Sequence, residues 1–132
     1  MQHKFLQMID VQKQITYWQN GAADDLESAR ILMENNRILH GLFLCHLVIE
    51  KSIKAIVVKK TMEIAPRSHN LVYLSELAHL EFVEEDEIFL GILMKYQLQG
   101  RYPDYNPNIP VVEKANEYLN TTERLMKWLQ TK

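Results

Sequence analysis

Three groups of residues in this 132-residue chain are of types that do chemistry at the spacing in which they occur. The first is Gly100-Arg101-Tyr102-Pro103-Asp104-Tyr105, closed by Pro107. A loop stiffened by proline can hold an Arg guanidinium for bidentate contact with phosphate, beside a Tyr ring that stacks on a base. The same residues also serve as a structural clamp, with Arg101 paired to a helix carboxylate and Tyr102 packed on the protein body. Residue type alone favours the clamp. The second group is a set of His and Glu residues at helical spacing, His46 with Glu50 and Glu76 with His79. A di-iron bundle wants two Glu-x-x-His pairs and two further Glu residues. Such a ligand set cannot be traced here, so both pairs read as ordinary polar positions and no metal is expected. The third is Cys45. It lies in the most apolar stretch, where a free Cys behaves as a small buried hydrophobe rather than as a thiolate nucleophile.

The familiar catalytic signatures are missing. The sequence has no Gly-rich phosphate loop, no Gly-x-Ser-x-Gly elbow and no zinc-binding Cys pair. No cofactor is expected.

The elements that must carry these residues are helices. Ile15, Trp18, Ala22, Leu26, Ala29 and Met33 recur at three- and four-residue spacing, which predicts a helix over 11–34. Asp10 is a suitable N-cap and Asn35-Asn36 a suitable stop. Gly21 lowers helix stability by roughly 1 kcal/mol against Ala, so a close neighbour is expected there. Residues 38–60 are apolar on nearly every side, as a central helix is. Glu50 and Lys54 stand four apart in the favourable order, and Lys59-Lys60 complements the negative end of the dipole. A short helix over 69–79 follows, with Ser68 as its cap. A fourth is predicted over 84–97. It opens on Glu84-Glu85-Asp86-Glu87, with Ile88, Phe89, Ile92, Leu93 and Tyr96 as its buried stripe. A fifth runs over 110–130, with Pro110 in its first turn and Val111, Ala115, Leu119, Leu125 and Leu129 on its apolar face. Trp18 and Trp128 read as packing anchors. Nothing reads as a strand pair. The fold class is therefore all-α, an antiparallel bundle of about five helices, four long and one short.

Composition agrees with one folded body over 1–132. Hydrophobic residues make up 47% and charged residues 24%, and a chain of this length buries roughly 65–70% of its unfolded surface. It therefore needs no disulfide, and the single Cys cannot form an internal one. That points to a reducing compartment. No apolar run is long enough to span a membrane, and the first residues lack the apolar core of a signal peptide. A cytoplasmic protein is expected. The net charge of −2 excludes the broad basic face of a nonspecific nucleic-acid binder, so any contact with nucleotide or RNA must be local.

Several of these segments, taken in order, resemble the HEPN family. They are Trp18 followed by Ala22-Ala23-Asp24-Asp25-Leu26, the run from His46 to Ala55, Ser68-His69-Asn70-Leu71, and Gly100-Arg101-Tyr102-Pro103-Asp104. The match covers most of the chain. The resemblance implies a helical bundle that often dimerises and is often paired with a minimal nucleotidyltransferase. Several families of this type are ribonuclease toxins of toxin–antitoxin systems. Their motif is an Arg and a His separated by four to six residues, two copies meeting across a dimer. Here Arg101 is in place, but the matching positions hold Asn106, Pro107 and Asn108, none of which moves a proton near neutral pH.

The resemblance then implies a noncatalytic binding module, a homodimer that takes a nucleotidyltransferase partner, a nucleotide or RNA. Lys54, His69, Arg101, Tyr102 and Asp104 form its candidate polar surface. Lys54 and Arg101 would meet phosphate, Tyr102 would stack on a base, and His69 and Asp104 would orient. Two alternatives stay open. One is a ribonuclease whose catalytic His is displaced, for instance to His69. The other is an assembly domain without a ligand.

Overall fold

The computed structural model describes residues 10–97 and 108–132, and all its regular elements are helices. They are α1 (Val11–Glu34), α2 (Ile38–Thr61), α3 (Leu71–Leu77), α4 (Glu84–Gln97) and α5 (Val112–Gln130). None of them is long and apolar enough to cross a membrane. Arg101, Tyr102 and Asp104 lie outside the described residues.

Local signals set most of the boundaries. The Asp10 carboxylate accepts a hydrogen bond from Lys13 N at 3.0 Å, capping α1. At the other end Asn36 takes a left-handed conformation (φ 62°). Asn36 N then donates to Met33 O and Arg37 N to Leu32 O. That is a Schellman stop, and it turns the chain directly into α2. The same device ends α3, where His79 (φ 53°) donates to Glu76 O and Leu80 N to Ser75 O. His79 is thus past the helix end and shares no helix face with Glu76.

Three expectations need correction. The cap of α3 is Asn70, whose side chain accepts from Tyr73 N at 3.0 Å. Ser68 instead accepts from Asn70 N, so the helix is shorter at both ends than its apolar spacing implies. The last helix starts at Val112, because Val111 is extended (φ −63°, ψ 156°) and acts as the N-cap. Pro110 therefore lies before the helix, and Val111 is exposed rather than on the apolar face. In α4 the buried side is Phe89, Leu90, Leu93 and Tyr96, with Ile88 turned to solvent at 58% exposure.

The core is arranged around α2, which packs against each of the other four helices. Leu42, Cys45, Val48, Ile49, Ile53 and Val58 are fully enclosed. Each large aliphatic side chain buried this way contributes about 1.5–3 kcal/mol. Against it lie Leu26, Ala29 and Met33 from α1, Leu71 and Leu74 from α3, Leu90 and Leu93 from α4, and Leu119, Leu125 and Leu129 from α5. The α1–α2 seam is close enough to need two glycines. A Cβ on Gly21 would meet Lys51 Cδ at 3.1 Å, and one on Gly41 would meet Met33 Cε at 3.0 Å. Ion pairs join α1 to α5 through Arg30 and Glu123, α1 to α2 through Asp25 and Lys51 at 2.7 Å, and α4 to α5 through Asp86 and Arg124 at 2.6 Å.

Candidate functional site

A helix enclosed on every side should carry apolar residues throughout, because an unpaired buried charge is very costly. In α2 one line breaks that rule. His46, Glu50 and Lys54 follow one another at four-residue intervals, and all three are buried.

Glu50 is the hub. Its Oε2 accepts a hydrogen bond from Lys54 Nζ at 3.1 Å. Its Oε1 accepts from Nδ1 of His69 at 3.0 Å, and His46 Nδ1 lies 3.6 Å from the same oxygen. His46 Nε2 donates to the backbone carbonyl of His69 at 3.1 Å. His69 is therefore held twice by α2, once through its ring and once through its backbone. Trp18 of α1 closes the cluster, with Lys54 Nζ 5.1 Å from its ring centroid. A desolvated cation over a Trp face is stabilised by about 2 kcal/mol.

His69 differs from the other members. Its side chain is 44% exposed, against 4% for Glu50 and 6% for Lys54. It is the point at which the buried charge network reaches solvent. The segment before α3 brings it there, anchored on one side by Leu71 in the core and on the other by the Ser68–Asn70 turn.

The structure thus joins two of the five residues singled out in the sequence, Lys54 and His69, through Glu50, which the sequence reading placed only as a helix partner of His46 and of Lys54. It also changes the part that Lys54 plays. With its ammonium against Glu50 and Trp18, Lys54 is not a surface cation. It is the internal counter-charge of Glu50. Arg101, Tyr102 and Asp104 belong to the segment outside the described residues. Among the described residues no group of three or more His, Cys, Asp and Glu side chains is placed to hold a metal ion.

Cys45, one residue before His46, is fully buried. Burial pushes its thiol up to about 11, with smaller opposing effects from Thr122 and Arg30. It is no thiolate at neutral pH. The raised value has a consequence for stability. The unfolded chain gives up this proton at about pH 9 and the folded protein only at about 11. The stabilisation is whole below the lower value and declines between the two, by roughly 3 kcal/mol. Denaturant titrations from about pH 8 to 11 should show a shallower decline in Cys45→Ala than in the wild type. Parallel profiles would mean that the thiol ionises equally in both states.

Two solved structures share this fold. TT1696 from Thermus thermophilus superposes with a TM-score of 0.72 over 89% of this chain and 97% of that one, at 20% identity. ST0689, described as an archaeal HEPN homologue, superposes with a TM-score of 0.66 over 89% of this chain and 95% of that one, at 25% identity. No curated protein matches the sequence. The sequence model of the HEPN domain matches residues 15–132, a span that takes in nearly all of α1 and every later helix. The chain belongs to the HEPN domain family.

Proposed function

We propose that the protein is a noncatalytic HEPN-type binding module, a homodimer that takes a nucleotide-containing ligand, associates with a minimal nucleotidyltransferase, or does both. The observation that carries this reading is the half-exposed His69 ring fixed by a buried, charge-balanced carboxylate. A buried ion pair adds little stability over apolar residues of the same size. Its use here is to hold one polar group in a set orientation at the surface. Arg101, Tyr102 and Asp104 supply phosphate contact, base stacking and orientation in this reading, on the strength of their residue types. Calorimetry with ATP, GTP and a short single-stranded RNA tests it, with His69→Ala and Arg101→Ala alongside. Each substitution should weaken binding at least tenfold while the fold is retained. Unchanged affinity in a folded variant removes that residue from the site, and absence of binding by all three ligands overturns the nucleotide reading.

One observation favours a second reading, an RNA-cleaving enzyme with a displaced His. A carboxylate on Nδ1 and an outward Nε2 is the arrangement in which a His acts as general base. RNA cleavage by the wild type that disappears in both His69→Ala and Arg101→Ala would support it. Equal RNA stability with wild type and variants excludes it.

A further inference from the structure

The Glu50–His69 contact determines more than the orientation of a ring. A neutral imidazole carries one proton, and the nitrogen that lacks it is an acceptor. An ionised carboxylate only accepts, so the 3.0 Å contact requires the proton on Nδ1. Lys54 Nζ at 3.1 Å on the other oxygen supplies the positive charge that matches an ionised Glu50. The backbone of His69 is held separately, through its carbonyl, by His46. Nε2, on the far side of the ring, bonds to no group among the described residues.

From this geometry we infer that Glu50 is a positioning residue that makes the exposed Nε2 of His69 a hydrogen-bond acceptor, and that the ligand group received there is a donor of the nucleoside, a ribose hydroxyl or an exocyclic base amino group, and not a phosphate. The inference rests on the nucleotide-binding reading above for its ligand, but not for its tautomer. An ionised phosphate oxygen only accepts, so the Nε2 lone pair of the Nδ1–H tautomer gives it no hydrogen. A hydroxyl or amino hydrogen meets a lone pair on a ring that is half exposed. Such a site rejects an analogue that lacks the donor, because the nitrogen is then desolvated without a partner.

The test uses the wild type and the double variant Glu50→Leu/Lys54→Met. The double variant replaces the buried pair by apolar residues of similar size, so the fold does not depend on an uncompensated charge. Ring nitrogen spectra of the ligand-free proteins are recorded at a pH where each His69 signal shows the neutral ring. The wild type should give the Nδ1–H form, and the double variant should move toward Nε2–H. An Nε2–H ring in the wild type, or the same tautomer in both proteins, overturns the role of Glu50. Calorimetry then compares ATP with 2′,3′-dideoxy-ATP, which lacks both ribose hydroxyls, and with inosine triphosphate, which lacks the amino group.

One analogue should bind the wild type about tenfold more weakly than ATP, and the double variant should lose that preference. A deficit for the dideoxy analogue identifies a ribose hydroxyl, and one for the inosine analogue identifies the base. Equal affinity for all three overturns the donor assignment while leaving nucleotide binding in place. If neither ATP nor RNA binds at all, the nucleotide reading fails and the donor assignment with it. The ring spectra still decide the tautomer.

Discussion

Glu50→Ala should lower the unfolding free energy by about 3–5 kcal/mol, the usual cost of removing one partner from a buried ion pair. The reason lies in what is left behind. Lys54, only 5% exposed, would keep its ammonium in the core with the Trp18 ring as its remaining contact. His69 would lose the acceptor of its Nδ1. Glu50→Leu/Lys54→Met should regain most of that loss, since neither charge remains to be desolvated. Urea titrations of wild type, Glu50→Leu, Lys54→Met and the double variant give the coupling directly, with Glu50→Ala alongside. A single variant within about 1 kcal/mol of the wild type, or a double variant less stable than Glu50→Ala, would show that the pair is not carried as a buried unit.

The second large effect concerns packing alone. Ile53 is fully enclosed in α2, the helix against which all the others pack. Truncation to Ala removes three carbons from a site whose walls are four other helices, so little collapse is available. Ile53→Ala should cost about 2–5 kcal/mol. Ile88→Ala is the matched control. The same side chain is lost from α4, but from a position 58% exposed, and the change should stay within about 0.5 kcal/mol. Paired thermal melts check both. Similar losses at the two sites would mean that Ile88 is covered in solution.

The contrast between these isoleucines also indicates where sequence reasoning succeeds. Both ends of α1, and the start of α4 at Glu84, fall where periodicity and the residues of the first turn place them, because those signals are local. Which face of α4 turns inward is not local. Ile88 and Leu90 are equally apolar and lie two residues apart. Only the position of α2 against the helix determines that Leu90 is buried and Ile88 is not. The start of α5 is a similar case, since Pro110 is acceptable both before a helix and in its first turn, and the extended Val111 decides it.

The candidate site was legible in part. Lys54 and His69 could be named, but as separate members of a surface. Glu50 was visible twice, once as a helix partner of Lys54 and once beside His46, and each pairing had an ordinary explanation. The combined signal was the stronger one. Three ionisable residues at four-residue intervals form a single line along the middle of a largely apolar helix, and such a line, once buried, must be paired inside the protein. What no pattern along the chain contains is that His69, beyond the end of α2, folds back onto that line. That follows from where α3 docks.

The central place of α2 also has a bearing on time. An amide in a helix enclosed by four others exchanges its hydrogen only when most of the protein opens, whereas the ends of α3 and α5 exchange by local fraying. The residues that hold His69 therefore sit in the part of the molecule that opens least often. A ligand of the proposed kind would meet a ring whose orientation is already set, because Glu50 and Lys54 form a fixed floor beneath it.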